Sequence, residues 1–173
     1  MGTPSDRTKA SAAGVVVVLM ALLSFYNPWV PVVSHVDFGI HELGHLLFGF
    51  LPFKGMLLAG SGLQVAAPVL LVGYFWRFRG DLVAAGVMLG WAGVSLRNVA
   101  QYIGDAPYLR FSIIGSVHDW NELLWLWDKM DMADNVAGFV GFLGLLAFSG
   151  GLALSARVMY TSAQDVSVSS THS

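Results

Sequence analysis

The sequence predicts an all-α fold: a polytopic membrane helix bundle of four to five membrane helices, with one amphipathic helix lying at the interface. Two observations carry the prediction. The chain is 55% hydrophobic and 12% charged, with a mean hydropathy of +0.65, whereas a soluble domain carries about 25% charged residues. Its apolar residues are also gathered into runs close to the ~20 residues that cover the hydrocarbon core of a bilayer. The formal net charge of −2 gives no sign of a nucleic-acid partner. No cysteine is present, which excludes disulfides and thiolate ligands and leaves His, Asp, Glu or backbone oxygen to hold any metal. No repeat of fixed period appears, and 173 residues make one domain.

In order, residues 1–13 form a polar N-terminal segment, residues 14–160 the membrane-embedded domain and residues 161–173 a Ser/Thr-rich, disordered tail. The first span covers 15–33. Its length, and the absence of a small-residue cleavage site near Asn27-Pro28-Trp29, argue against a cleaved signal peptide. Pro28 and Pro31 kink or end this helix, and Tyr26 and Trp29 suit an interfacial belt. A helix over about 37–51, short for a full span, is stopped by Pro52. The next run, 56–76, holds Ser61 and Gln64, which either line a wet cavity or, the stronger reading, bond across to a neighbouring helix. Arg77 and Arg79 close it.

The clearest span is 82–103, where Gly86 and Gly90 allow close helix approach. Near its far end Arg97 reads as a side chain snorkelling to headgroups, while Asn98, an amide needing partners, could face a substrate. Residues 104–118 form a loop whose apolar middle, 111–117, could dip back into protein. Asp119 and Glu122 then stand at N-cap and N3 spacing. Trp120, Leu123, Leu124 and Trp127 follow at i, i+3, i+4 and i+7, the pattern of an amphipathic helix with its tryptophans at headgroup depth. Residues 136–159 make the last span. With five alternating helices and the N-terminus inside, Arg7, Lys9, Lys54, Arg110 and Lys129 fall inside and Arg77, Arg79 and Arg157 outside, a slight positive-inside preference.

The short helix carries the chemistry. It contains His41-Glu42-Leu43-Gly44-His45, and on an α-helix positions four apart lie about 40° apart on one face. Both imidazoles can therefore point at one metal ion, the known zinc arrangement with glutamate as general base. Glu42, about 100° round, is placed to reach a water at the open coordination position rather than to ligate. Leu46, Leu47, Phe48 and Phe50 surround the motif with apolar side chains, and charged groups in such a setting are costly unless paired or metal-bound. Asp37, four residues before His41, is either an outer carboxylate orienting an imidazole or a helix cap. His35 reads as an exposed histidine at the helix entrance.

This motif in a small multi-span chain resembles the site-2 protease family of intramembrane zinc metalloproteases. The resemblance implies one Zn2+ per chain held by His41 and His45, Glu42 as catalytic base on a zinc-bound water, and hydrolysis of peptide bonds in membrane-spanning or membrane-proximal substrates. The expected partners are membrane lipid and a protein substrate with a transmembrane helix, and the expected location is integral, multi-pass membrane. The family usually supplies its third ligand as an aspartate in Asn-Pro-Asp-Gly or Leu-Asp-Gly, and neither occurs here. Two other classes stay open: a non-proteolytic membrane zinc protein with a sensing or structural role, against which the intact Glu42 argues, and a histidine-ligated redox or transport protein, against which the i, i+4 spacing argues.

A catalytic zinc takes three protein ligands. Outside the motif the candidates are His35, Asp37, Asp105, His118 and Asp119. Asp105, before Ala106-Pro107, reads as a turn residue, and Asp119 has a structural use as the N-cap. His118 therefore ranks first as third ligand and Asp119 second, as ligand or as its outer partner. Alternating topology puts residue 118 at the end opposite the motif, so 111–117 would have to carry it back.

Overall fold

The fold is described over residues 4–27, 29–111 and 117–170 of a computed structural model. Six helices follow one another, and there is no strand among the described residues: α1 (Pro4–Tyr26), α2 (Val33–Leu47), α3 (Phe53–Tyr74), α4 (Leu82–Asp105), α5 (Asp119–Leu126) and α6 (Ala133–Ser170). A π-helical segment, Phe75–Arg79, continues α3, and a 3-10 turn, Met130–Met132, precedes α6. The all-α expectation holds. Four helices, α1, α3 with its π-helical extension, α4 and α6, are long and apolar enough to cross a membrane. Their outer faces carry exposed Leu22, Leu70, Phe139 and Leu146. An apolar surface of this extent suits contact with lipid rather than water.

Two groups of contacts define the ends of the bundle. Asp6, Lys9, Arg79, Asp81 and Val158 line one surface recess, which puts the start of α1, the α3–α4 link and the later part of α6 together. Ala106, Leu124 and Ala133 cluster at the other end, joining the close of α4, α5 and the start of α6. The α3–α4 link is built by its own sequence. Gly80 takes the left-handed conformation (φ 63°) that ends the preceding helix, and the Asp81 carboxylate accepts the Ala84 N–H at 2.9 Å as the cap of α4. The small-residue pattern of α4 meets one on α6: a Cβ on Gly86 would fall 3.0 Å from the Gly151 carbonyl oxygen, and one on Gly93 2.7 Å from the Phe148 ring. At Gly86 and Gly151 the glycines let the two backbones approach closely, and at Gly93 the missing side chain makes room for the Phe148 ring.

α2 is not a fifth span. Val30, in the link after α1, packs with Val17, Val94 and Phe148, all near the middle of their helices. The chain thus doubles back to mid-height before α2 begins, and α2 rises from there to the end where α3 starts. A Cβ on Gly44 would collide with the Ala59 carbonyl, so glycine is required where α2 lies against α3. With four long helices instead of five, both termini of the bundle lie at one end, and the basic residues regroup as Arg7, Lys9, Arg77, Arg79 and Arg157 against Lys54, Arg110 and Lys129. α5 and the top of α2 share the other end, which removes the topological obstacle to bringing residues 118 and 119 to the motif.

Other boundaries differ from expectation as well. The polar N-terminal segment is already helical from Pro4, and α6 continues to Ser170, so the helix takes in most of the expected disordered tail. The helical α6 of 38 residues is about 57 Å long at 1.5 Å per residue, more than a bilayer's thickness. Pro28 and residues 112–116, most of the stretch expected to re-enter the protein, lie outside the described residues. Arg97 does not reach outward alone: its guanidinium lies 4.3 Å from the centre of the Phe25 ring, a cation–π contact.

The turn into α2 is strained. Val32 has φ 69° and ψ −58°, with the Val33 N–H donating to the Pro31 carbonyl at 2.9 Å, the geometry of the rare γ-turn. A β-branched residue is poorly suited to it, and Val32 is 74% exposed, so it gains little packing in return. Ser34 holds the turn by accepting the Val30 N–H at its hydroxyl (2.9 Å). Val32→Gly is expected to stabilise the protein by about 1 kcal/mol, because strain of roughly 1–3 kcal/mol is relieved against a glycine entropy cost of about 0.5–1. Equilibrium unfolding in detergent measures it, and a destabilised variant would contradict the strain.

Candidate metal centre

The i, i+4 pair does point one way. His41 and His45 both turn towards α3, and the atoms that meet them come from α5, some seventy residues on. His41 Nε2 lies 2.9 Å from Asp119 Oδ2, His45 Nε2 lies 3.1 Å from the same oxygen, and the two Nε2 atoms are 3.1 Å apart. His41 and Asp119 are buried and His45 is partly so. A tetrahedral zinc bonded at about 2.0–2.1 Å separates its ligands by roughly 3.3–3.4 Å, so this triangle is within a few tenths of an ångström of zinc-sized. Among the described residues it is the one group of three His, Asp or Glu residues that close together.

The far sides of the rings fix which nitrogen carries the proton. His45 Nδ1 is 2.9 Å from the Met56 carbonyl oxygen, which can only accept, so its proton is on Nδ1 and Nε2 presents a lone pair. His41 Nδ1 donates in the same way to Gln64 Oε1 at 3.2 Å. Two imidazole nitrogens and a carboxylate oxygen therefore face one another across about 3 Å, an arrangement that a shared cation, whether a metal ion or a proton, can hold together. Gly60 leaves the room for it. A Cβ at that position would fall 2.5 Å from His45 Nε2 and 2.6 Å from His41 Nε2. A side chain there would take the space an ion shared by the two rings has to occupy. The donor set, the ring orientation and the glycine all fit a metal with three protein ligands, the catalytic rather than the structural count.

Asp119 owes its place to how α5 starts. The helix begins at Asp119 itself, and the cap is His118, whose Nδ1 accepts the Asn121 N–H at 3.2 Å. Asp119 is thus not the N-cap, as its spacing from Glu122 suggested, and its carboxylate is free for the histidines. Its N–H donates to the Tyr102 hydroxyl oxygen at 3.1 Å. Three further bonds seat α5: Trp120 Nε1 to Ser61 Oγ (3.0 Å), Asn121 Nδ2 to the Ala106 carbonyl (2.8 Å) and Lys54 Nζ to the Leu126 carbonyl (3.4 Å). Of the face its sequence pattern predicts, Leu123 and Leu124 are buried beneath it and Trp120 is partly buried, whereas Trp127, just past the last turn, is exposed along with Trp125.

His118, ranked first as third ligand, is turned away from the other two. It stacks on Tyr102, with centroids 4.1 Å apart, and its Nε2 lies 3.7 Å from Asp105 Oδ2. Burial lowers its pKa, against the opposing pull of the Asp105 charge, and a capping role on Nδ1 suits a neutral ring. The Asp105 carboxylate accepts the Arg110 and Phe111 N–H groups at 2.9–3.1 Å, the turn role expected of it. His35 is exposed against Trp29, with ring centroids 5.0 Å apart.

Glu42 is not in the triangle. It lines, with His41, His45 and Asp119, a cavity of about 610 Å3 whose walls include Trp29, Phe38, Phe53, Phe111, Asn98 and Gln101. The sequence singled out Gln64 as a polar residue in an apolar run, and it proves to be the interhelical partner. Gly60, Tyr102 and the Met56 carbonyl carry no signal of their own in the sequence; their roles depend on which helix lies opposite.

Set against protein-family models, curated proteins and solved structures, the chain finds no match. Two substitutions test the centre directly. Asp119→Ala is expected to lower zinc affinity by at least tenfold, about the lower end of what losing even an outer partner costs, while His118→Ala leaves zinc bound and loosens α5. Zinc titration on both variants decides the assignment, and equal loss in the two would return His118 to the ligand set.

Proposed function

We propose that the chain is a multi-pass membrane zinc metalloprotease, resembling the site-2 protease family in its motif and differing from it in how the third ligand is supplied. The observation that carries the reading is the convergence of His41, His45 and Asp119 beside a cavity lined by Glu42. One zinc ion per chain would be held by these three side chains. Zinc in such a setting brings the pKa of a water towards about 7 and polarises a carbonyl.

The residues of the chain do the rest. Glu42 accepts the proton of the attacking water as its oxygen bonds to the carbonyl carbon, and hands that proton to the amine nitrogen as the C–N bond breaks. An acceptor that is not itself a ligand keeps its basicity, and Glu42 stands outside the triangle. The substrate is a polypeptide segment of a transmembrane helix. Its amides are tied up in helical hydrogen bonds, so it must unwind locally to reach the cavity, and the polar side chains of Asn98, Gln101 and Tyr102 along the wall offer replacements for those bonds. The aromatic rim of Trp29, Phe38, Phe53 and Phe111 suits apolar side chains of such a segment.

Glu42→Gln is expected to cut peptide hydrolysis by a factor on the order of 10² to 10⁴ while zinc content stays at one per chain. Metal analysis and cleavage of a membrane-embedded peptide read the two quantities separately. Zinc lost with Glu42 would make it a ligand, and zinc retained without any hydrolysis in the unsubstituted protein would leave a zinc protein that is not a protease.

A further inference from the structure

A carbonyl oxygen that gains charge as water adds to its carbon is stabilised by donors oriented towards it in advance. The wall of the cavity offers polar side chains on α4, where Asn98 and Tyr102 stand four residues apart on one face with Gln101 beside them. Hydrogen bonding divides their roles. Asn98 Nδ2 donates to Ser34 Oγ at 3.0 Å and to Asp37 Oδ2 at 3.2 Å, so both of its N–H groups are spent. Its Oδ1 is buried without a partner and can only accept.

Tyr102 is the reverse case. Its hydroxyl oxygen accepts the Asp119 N–H at 3.1 Å, the one hydrogen bond it makes among the described residues. A phenol also has a proton to donate, and this one is unspent on the cavity wall that Glu42 shares. The ring is held from two directions. It stacks on His118, with centroids 4.1 Å apart, and meets His41 edge-on at 5.9 Å. Tyr102 thus touches two of the three residues of the metal centre without belonging to it. Gln101 lines the same wall with no hydrogen bond to any of the three among the described residues.

We propose that Tyr102 is a further catalytic residue, donating its O–H to the substrate carbonyl oxygen as that oxygen gains charge. The proposal rests on the proteolytic reading given above. As the water oxygen bonds to the carbonyl carbon and Glu42 takes the water proton, the π electron pair moves onto the carbonyl oxygen, and the Tyr102 hydroxyl holds it more strongly there. When the C–N bond breaks and the nitrogen takes that proton, the pair returns to form the carbonyl of the product acid. Tyr102 keeps its own proton throughout, and its acceptor bond to Asp119 is unchanged.

The test uses the full-length protein in detergent, with zinc titration, hydrolysis of a membrane-embedded peptide and binding of two ligands of the same sequence. One is a phosphinic peptide, whose charged oxygen stands where the carbonyl oxygen gains charge. The other has the scissile amide reduced to CH2–NH and carries no oxygen there. In Tyr102→Phe, which keeps the ring, kcat is expected to fall about 10²- to 10³-fold, with KM and zinc affinity close to those of the parent. The phosphinic peptide is expected to bind about 10- to 100-fold more weakly, and the reduced amide as before. Hydrolysis that recovers fully at saturating zinc would mean that the hydroxyl only seats Asp119. Equal weakening of both ligands would make Tyr102 a plain wall residue, and either result overturns the proposal. Replacing Tyr102 by a ring-fluorinated tyrosine keeps the hydroxyl and reads it directly: its fluorine resonance is expected to move with the phosphinic peptide and not with the reduced amide. A parent that binds zinc and cleaves nothing removes the protease reading, and the two ligands then decide the donor alone. A parent that binds no zinc overturns the proposal together with the metal centre.

Discussion

Two imidazole nitrogens and a carboxylate oxygen drawn to within 2.9–3.1 Å of one another are the constraint around which this fold makes sense. Lone pairs do not gather in an apolar bundle without a positive charge to share. Much of the nearby structure consists of what is needed to bring them together. Gly44 lets α2 lie on α3, Gly60 clears the space between the rings, Met56 and Gln64 take the outer protons, and α5 delivers the carboxylate. The elements that look irregular in a bundle of long helices, namely a half-height α2 and an eight-residue α5, are the two that carry the histidines and the carboxylate.

The half-height helix has a physical cause and a cost. A helix that started at one end of the bundle and ran its full length would place residue 41 near the end opposite α5. By turning back after Tyr26 to the level of Val17 and Val94, the chain starts α2 in the interior and lets it finish beside the start of α3. The turn back is made through Val32 in a conformation unfavourable for its type. Buried polar bonds tie the beginning of α2 down: Ser34 to Val30, Asn98 to Ser34 and to Asp37. Buried hydrogen bonds to a charged group are among the stronger ones. The same contacts that hold the strained turn also set the first turn of the helix that presents His41.

The parts that were legible in the sequence are those set by local periodicity. The i, i+4 histidines, the four long apolar helices, the two-faced α5 and the small-residue face of α4 all follow from spacing along one helix. The third member of the cluster did not, and the reason is one of register. His118 and Asp119 are adjacent, and which of them reaches the centre turns on whether the helix begins at one or the other. Cap preference favours aspartate over histidine, so propensity pointed the wrong way. The structure takes the less favoured cap because the Asp119 N–H finds the Tyr102 hydroxyl and its carboxylate finds the histidines. These contacts are tertiary, and no short window of sequence around residue 118 contains Tyr102 or His41. The choice between four and five membrane helices was open for a similar reason, since a run of apolar residues does not say at what depth its helix begins.

The two histidines and Asp119 come from segments 74 and 78 residues apart. α5 is too short to be stable by itself, as isolated helices below about 12–15 residues are marginal. It is seated by two buried leucines, the three bonds to Ser61, Ala106 and Lys54, and the Asp119 carboxylate. The long helices, by contrast, pack along glycine-lined faces far from the centre, as at Gly86 against Gly151 and Gly93 against Phe148. A ligand that binds only the assembled site stabilises whatever must be ordered to form it. In this chain such a site would join α5 to α2. The histidine–carboxylate contacts and the bonds that seat α5 therefore meet on the same short helix, of which Asp119 is the first residue.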